Sequence, residues 1–328
     1  MTLALRGRSG KGLIDVHAHY SVPVPAEMND TFDRMAREQF FLHRPALSEW
    51  TAREAIDFMG GYGIQFQLLS FPGELGLPIA QRVNDFGAEV VSGNGDRFGL
   101  LANVPAGDPV AAVVEIRRAA EELHADGFVM VTNYAGRYLG DPIFEPVLRE
   151  LDERSATVFL HPVAPNCFAD LACGRPGPVL EFPTDTARSV VDAVYARVFQ
   201  RFPNVKFILA HGGGALATLA DRIATTGLSS WVPNPHNVTA EDVYSQIASL
   251  YYDTALAGSP FSLLPLLHAT TADHIVFGTD YPPAGDAGIA HHVEQLSTTT
   301  LLTNEQIADF HDTALTLFPA VLRRLTSC

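Results

Sequence analysis

Histidine or aspartate stands at the end of four short apolar runs in this sequence, and both residue types are common metal ligands. The runs cover 13–16, 157–160, 205–210 and 274–279, and they lead into His17 with His19, His161, His211 and Asp280. Side chains repeat with a period of two along an extended strand, so His17 and His19 point to the same side. With His161 and Asp280 they supply three imidazoles and one carboxylate. This donor set suits Zn²⁺, with Mn²⁺, Fe²⁺ and Co²⁺ as alternatives, and it predicts a metal-dependent enzyme.

The elements that must position these residues alternate along the chain as short apolar strands and longer helices. Strands are predicted near 13–17, 64–70, 97–102, 127–132, 157–161, 205–211, 249–253 and 274–279. Helices are predicted near 51–60, 79–93, 108–123, 142–154, 186–201, 214–226, 260–268 and 288–297. Continuous apolar runs are typical of strands that are covered on both faces of a parallel sheet. The alternation predicts an α/β fold, a (β/α)8 TIM barrel, which builds its active site at the carboxyl ends of its strands.

One domain that covers 1–328 is the simplest interpretation, because no internal repeat or flexible linker divides the sequence. Two long connections, 20–50 and 162–185, leave the carboxyl ends of the first and fifth strands. Connections at this end of a barrel are expected to overhang the active site and shape the choice of substrate. The segment near 303–325 predicts C-terminal helices that pack either on the barrel or on a partner subunit.

The composition argues against several classes of protein. Of 328 residues, 47% are hydrophobic and 18% are charged, and the net charge is −15. That charge argues against binding to nucleic acid or to an anionic membrane surface, since both would repel it. No apolar stretch approaches the roughly 18–20 residues of a transmembrane helix. The odd number of cysteines favours reduced thiols and a cytoplasmic setting. A GxGxxG motif is absent, so no organic cofactor is expected.

Four motifs carry a resemblance to a known family: HAH at 17–19, FLHP at 159–162, LAHGG at 209–213 and FGTDYP at 277–282. With them the chain resembles the amidohydrolase superfamily. More narrowly it resembles the decarboxylase branch, which includes aminocarboxymuconate-semialdehyde and 6-methylsalicylate decarboxylases. The segments TNYAGRYLGDP at 132–142 and EFPTDT at 181–186 are most similar to the 6-methylsalicylate group. The resemblance spans about residues 13–325.

This resemblance implies a single divalent metal ion, Zn²⁺ in preference to Mn²⁺, and a homodimer. The implied protein ligands are His17, His19, His161 and Asp280. Two-metal relatives carry a bridging lysine near the end of the fourth strand. This chain has only Lys11 and Lys206, and neither lies near that strand end. The missing lysine favours one metal.

The resemblance also implies that His211 acts as an acid or a base. From the residues alone, His211 could instead be a fourth imidazole ligand or a core histidine. Asp280 is a second candidate for delivering a proton to the substrate. The implied reaction is the non-oxidative decarboxylation of a small aromatic or enol-type carboxylic acid. A metal-dependent hydrolase that uses the same residues is the first alternative, and a metal-binding barrel with a structural or sensing role is the second.

Several further residues are candidates for substrate contacts. They are Arg44 for a carboxylate, Glu181 for a phenol or a ligand imidazole, and Tyr20 and Phe182 for stacking on an aromatic ring. The alternative for each is a structural role in a loop or in the core. Asp185 could likewise hold a phenol or a ligand imidazole, but the preferred interpretation is the N-cap of the helix predicted from 186. Asp253, at the end of the seventh strand, is a candidate buried acceptor that supports a ligand.

Overall fold

Eight parallel strands form the centre of the protein in the computed structural model, which describes residues 12–23, 29–43 and 50–326. In chain order the strands β1 to β8 are Leu13–His19, Ile64–Ser70, Phe98–Asn103, Gly127–Val131, Thr157–His161, Lys206–Leu209, Tyr251–Asp253 and Ile275–Val276. Each strand pairs with its neighbour in sequence. This order, with helices between the strands, confirms the (β/α)8 barrel.

Backbone hydrogen bonds between β1 and the segment after β8 close the barrel. The amide of Val16 donates to the carbonyl of Phe277 at 2.9 Å, and the amide of Asp280 donates to the carbonyl of His17 at 2.8 Å. The amide of His19 then donates to the carbonyl of Tyr281 at 2.8 Å. The first and last predicted ligand segments are therefore adjacent, although 261 positions separate His19 from Asp280.

Helices cover the outside of the barrel and follow the predicted order. In chain order, α1 to α14 are Asn29–Glu38, Ala52–Tyr62, Leu77–Gly93, Pro109–Glu121, Glu145–Glu153, Phe168–Leu171, Glu181–Tyr195, Val198–Arg201, Leu216–Thr226, Ala240–Ala248, Pro260–Ala269, Gly285–Thr298, Asn304–Leu317 and Pro319–Thr326. The start of α4 shows why one of them begins where it does. The Asp108 side chain accepts hydrogen bonds from the amides of Val110 and Ala111, and Pro109 occupies the first helical position.

Helices α1 and α6 lie in the two long connections, where no helix was predicted, and three further elements also differ from the sequence prediction. Helix α10 was not predicted, although Thr239 and Asp242 form a reciprocal capping box at its start. A two-stranded antiparallel hairpin, 133–138, follows β4. Helix α7 begins at Glu181 rather than at 186, so its first turn lies in a segment assigned to the long second connection.

The two long connections contact each other. The rings of Phe40, from the first connection, and Phe168, from the second, have centroids 5.7 Å apart. Within the described residues, no helix is long and apolar enough to cross a membrane.

The C-terminal helices close the amino-terminal end of the barrel. Side chains from the strand interior, such as Val16, Phe66 and Phe159, form one buried cluster with Leu317 and Phe318. The hydroxyl of Thr157 donates to the carbonyl of Leu317 at 2.7 Å, which ties β5 to the end of α13. Of the two alternatives for these helices, the structure therefore supports packing on the barrel.

We predict that Phe318→Ala lowers the free energy of unfolding by about 3–5 kcal/mol, because it leaves a cavity beneath the barrel interior. Phe318 is fully buried, whereas Leu322 on α14 is 46% exposed. Leu322→Ala is therefore the matched control, and we expect it to change stability by less than about 1 kcal/mol. Denaturant unfolding of the two variants measures the difference. Equal effects would contradict the assignment of Phe318 to the barrel core.

Candidate metal centre

The structure brings His17, His19 and Asp280 together at the carboxyl end of the barrel. The Nε2 atoms of His17 and His19 are 3.1 Å apart. The Oδ1 atom of Asp280 lies 3.1 Å from Nε2 of His19 and 3.3 Å from Nε2 of His17. His161 at the end of β5 belongs to the same group, because His17, His161, His211 and Asp280 offer ligand atoms within 4.8 Å of one another.

Each of the three imidazoles from β1 and β5 has a hydrogen-bond partner at Nδ1, and these partners assign the tautomers. Nδ1 of His17 lies 2.6 Å from Oδ2 of Asp253, and Nδ1 of His161 lies 2.9 Å from the carbonyl of Pro162. Nδ1 of His19 lies 2.9 Å from the hydroxyl of Ser70, which itself donates to the carbonyl of Ala18. All three partners accept a hydrogen, so the proton is on Nδ1 and the lone pair is on Nε2.

A divalent cation fits the resulting arrangement. Two of the Nε2 lone pairs face each other and the Asp280 carboxylate, and none of these atoms carries a hydrogen to donate in those tautomers. Ligand atoms about 2.0–2.2 Å from a single ion, at angles of roughly 90–110°, are themselves separated by roughly 2.8–3.6 Å. The distances of 3.1 and 3.3 Å fall in this range. The donor set and its spacing therefore both match a metal site.

The pKa values of the clustered histidines and Asp280 also favour a positive charge among them. Burial lowers the pKa of His17, but the carboxylates of Asp253 and Asp280 outweigh burial and raise this pKa to about 10. Burial, then the neighbouring His19 and His17, holds the pKa of His161 well below its usual range. Burial raises the pKa of Asp280. The positive charge of His17 and the contacts of the Asp280 carboxylate with the neighbouring histidines outweigh burial and hold this pKa well below its usual range. The cluster therefore favours a positive charge beside the ionised Asp280 carboxylate: a proton on His17 supplies that charge, and a bound cation would supply it in place of the proton.

His211 follows β6 and occupies an uncommon backbone conformation. Its φ of 57° is in the left-handed region, which costs a residue other than glycine roughly 1–2 kcal/mol. Its amide donates to Oδ1 of Asp253 at 2.8 Å, and a hydrogen bond to a charged acceptor contributes about 1.5–3 kcal/mol. That bond is sufficient to offset the strain. Nε2 of His211 lies 3.3 Å from Oδ2 of Asp280, the carboxylate oxygen opposite the one near His17 and His19.

The glycines after His211 allow α7 to approach the barrel end. Gly214 has a φ of 60°, and an ideal Cβ at this position would lie 2.3 Å from the carbonyl oxygen of Pro183 in α7. The same carbonyl accepts the amide of Ala215 at 3.0 Å. The start of α7 therefore lies directly against the segment that follows His211.

Asp15 is an important residue that sequence analysis missed. It is fully buried in β1 and accepts hydrogen bonds from the Thr279 hydroxyl at 2.6 Å and from the Gln67 amide at 2.9 Å. Burial raises the pKa of Asp15 to about 6, despite these hydrogen bonds. The Thr279 bond fixes the segment that carries Asp280. A charged residue inside an otherwise apolar strand run was the available signal.

Two predictions about aromatic and acidic residues are wrong. Tyr20 is fully buried and donates from its hydroxyl to the carbonyl of Val83 at 2.9 Å, so its ring packs beneath α3 rather than at the metal centre. Asp185 is not an N-cap, because α7 has already begun at Glu181. Instead the buried Asp185 carboxylate accepts hydrogen bonds from the side chains of Thr132, Asn133 and Tyr138.

The other candidate substrate residues have different placements. Glu181 is 4% exposed, and within the described part of the chain its Oε2 has no hydrogen-bond partner. The nearest charge to it is Nη2 of Arg188 at 3.6 Å. Phe182 is half-buried and its ring packs against Gly177. Arg44 lies outside the described residues.

Comparison with known proteins identifies the family. The Amidohydrolase family model matches residues 14–320. The chain belongs to this amidohydrolase family. A relative named decarboxylase yanB, from Aspergillus niger, is 31% identical over 331 residues, with 93% of this chain and 87% of the relative covered. The 6-methylsalicylic acid decarboxylase of Penicillium expansum is 29% identical over 318 residues, with 93% and 96% covered. Both of these relatives of the amidohydrolase are named as decarboxylases, which are carboxy-lyases.

A solved structure shares the fold of this amidohydrolase. It is 5-carboxyvanillate decarboxylase from Novosphingobium aromaticivorans, complexed with manganese and 4-hydroxy-3-methoxy-5-nitrobenzoic acid. The TM-score is 0.80 and the identity is 20%, with 97% of this chain and 99% of that chain covered. The comparison supports the barrel assignment independently of any sequence motif.

We predict that the purified protein binds close to one divalent ion per chain and that His161→Ala reduces this content severely. The substitution removes one of the converging donors and leaves the others too few to hold the ion in place. The exposed His291 is the matched control, and His291→Ala should keep the metal content of the unmodified protein. Elemental analysis after metal-supplemented expression measures both. Equal metal contents in the two variants would rule out His161 as a ligand.

Proposed function

We propose that this amidohydrolase is a metal-dependent, non-oxidative decarboxylase of a small aromatic acid that carries a hydroxyl beside its carboxylate. The observation that carries the proposal is the convergence of imidazole Nε2 atoms on Asp280, with Nε2 of His211 3.3 Å from the same carboxylate. Such a site combines a cation position with an adjacent proton carrier. The relatives named as decarboxylases support the reaction type, and the 6-methylsalicylic acid decarboxylase suggests the substrate class.

We propose Zn²⁺ as the metal, with Mn²⁺ as the alternative, held by His17, His19, His161 and Asp280. Neutral imidazoles with one carboxylate favour Zn²⁺, whereas Mn²⁺ prefers a larger share of oxygen ligands. When bound, the cation would orient the carboxylate and hydroxyl of the substrate and neutralise their charge. Nothing in this chemistry requires an organic cofactor.

The residues of the chain must supply one proton. Protonation of the ring carbon that bears the carboxylate uses an electron pair of the ring and interrupts its aromaticity. The bond from this carbon to the carboxylate then breaks, CO₂ leaves, and the bonding pair returns to the ring, which regains its aromaticity. Histidine is the side chain best suited to donate and recover a proton near neutral pH. His211 has a buried Nδ1 without a hydrogen-bond partner among the described residues, and only Nε2 contacts Asp280. We propose that His211 donates the proton, with Asp280 as the alternative donor.

We propose that Glu181 and Phe182 contact the substrate. Both lie in the first turn of α7, which packs against the chain after His211 through Pro183 and Ala215. The buried Glu181 carboxylate has an oxygen free to accept a hydrogen bond from a phenol. Arg44 stays a candidate for binding the substrate carboxylate. A homodimer, a single domain for 1–328 and a cytoplasmic location stay proposals as well.

We predict that the zinc-loaded protein releases CO₂ from salicylate-type acids, with 6-methylsalicylate and 2,6-dihydroxybenzoate as the first substrates to be measured. Benzoate, which lacks the hydroxyl, is the matched control and should release none. Product analysis should find the corresponding phenol. Turnover of an ester, lactone or amide without CO₂ from any hydroxybenzoate would overturn the proposal and favour the hydrolase alternative.

We predict that His211→Gln lowers kcat by about 10²–10⁴-fold, because glutamine cannot transfer a proton. The metal content should stay near that of the unmodified protein, since the His17, His19 and Asp280 contacts remain. The exposed His268 provides the control variant His268→Gln, which should keep full activity. Steady-state kinetics with elemental analysis separate the two roles of His211. Loss of the metal together with activity would identify His211 as a ligand instead.

A further inference from the structure

Asp253, at the end of β7, contacts both a candidate metal ligand and the main chain of the candidate proton carrier. It is fully buried. Its Oδ2 lies 2.6 Å from Nδ1 of His17. Its Oδ1 accepts the amide of His211 at 2.8 Å and the amide of Ala255 at 3.0 Å. One carboxylate therefore meets three N–H donors.

We infer that Asp253 is a positioning residue that fixes the tautomer of His17 and the backbone of His211 at the same time. The inference rests on the proposed function in assigning His17 to the metal and His211 to the proton. Both carboxylate oxygens of Asp253 are engaged by these N–H groups. Its effect on the reaction passes through these two histidines, which it couples to each other.

The coupling requires a carboxylate rather than an amide. The amides of His211 and Ala255 are permanent donors, so the atom that faces them must be an oxygen. In an asparagine that keeps this oxygen in place, the NH₂ group faces Nδ1 of His17. Nδ1 must then accept, which moves the imidazole proton to Nε2. A protonated Nε2 no longer offers a lone pair to a cation.

In the opposite orientation, the asparagine disturbs His211 instead of His17. If the amide oxygen faced His17, the NH₂ group would face the amides of His211 and Ala255. Two buried backbone N–H groups would lose their acceptor, and the left-handed His211, with its φ of 57°, would lose the bond that holds it. Either orientation disturbs one histidine, because an amide has a single acceptor atom where the carboxylate has two.

The close approach of these groups is built into the barrel. Gly278, just after β8, lies against the side chains of both His17 and Asp253. An ideal Cβ at Gly278 would lie 2.9 Å from Cβ of His17 and 3.1 Å from Cβ of Asp253. A side chain at Gly278 would push apart the two residues that share the short hydrogen bond. The 2.6 Å contact therefore depends on three neighbouring barrel positions together.

The test compares Asp253→Asn with Asp126→Asn. Asp126 is also a buried carboxylate, but it pairs with Arg324 and the amide of Leu100, away from the histidines. Zinc affinity is measured by competition with a chromophoric chelator, which requires no turnover. We expect Asp253→Asn to lower zinc affinity about 10–100-fold, the range typical when a ligand loses its supporting partner. Asp126→Asn should leave zinc affinity within about twofold, whatever its effect on stability. Equal zinc affinity in all three proteins would overturn the inference.

A second measurement uses the unmodified protein and keeps the inference testable if Asp253→Asn does not fold. In the zinc-loaded protein, the ¹⁵N-edited NMR spectrum of the histidine side chains should contain a strongly downfield Nδ1 proton that is bonded to a carboxylate. The signal should be assigned through its contacts with the β1 backbone. A His17 ring with its proton on Nε2 would contradict the inference. Zinc binding and this signal without any CO₂ release would refute the decarboxylase proposal and leave the role of Asp253 intact.

Discussion

Repulsion between electron-rich atoms at the carboxyl end of the barrel is the constraint on which the site depends. Nε2 of His17, Nε2 of His19 and Oδ1 of Asp280 lie 3.1–3.3 Å apart in a nearly fully buried environment. Lone pairs and a carboxylate at such distances repel each other unless a positive charge lies among them. The rest of the fold must hold these groups in place, because the groups themselves favour separation. A cation or a proton on His17 turns the same arrangement into a favourable one.

The barrel resists this repulsion through hydrogen bonds that have no direct chemical role. Asp15 binds Thr279 and thereby fixes the segment after β8, and Asp253 binds both His17 and the backbone of His211. The backbone bonds between β1 and the chain around Asp280 complete this frame. At the amino-terminal end of the barrel, the cluster around Phe318 buries apolar side chains, and this burial stabilises the fold without the free-energy cost of burying polar groups. The strained end of the molecule is thus supported by a largely apolar one.

Sequence alone predicted the parts of the molecule that follow from strand periodicity and strand order. The proposed ligand set could be named because each member lies at or next to the end of a predicted strand, and parallel strands in a barrel place such ends together. Tyr20 was misplaced because the chain turns outward after His19, so its ring points to α3. Asp185 was misread because a helix start at Glu181 carries no N-cap side chain. The dual contact of Asp253 depends on the left-handed backbone of His211, which no sequence pattern indicates.

The proposed metal ligands and the candidate substrate contacts lie on different parts of the fold. This separation explains how a site of this kind can change its substrate without losing its metal. The proposed ligands lie at or just after strand ends, are 0–8% exposed, and are held by the barrel frame. The candidate substrate contacts lie on other parts of the chain, at the start of α7 and in the long connections that meet at Phe40 and Phe168. Residues on connections can be exchanged with little effect on the packing of the barrel. Under the proposed function, the electrostatics at Asp280 limit the chemistry, whereas α7 and the connections determine which acid reaches it.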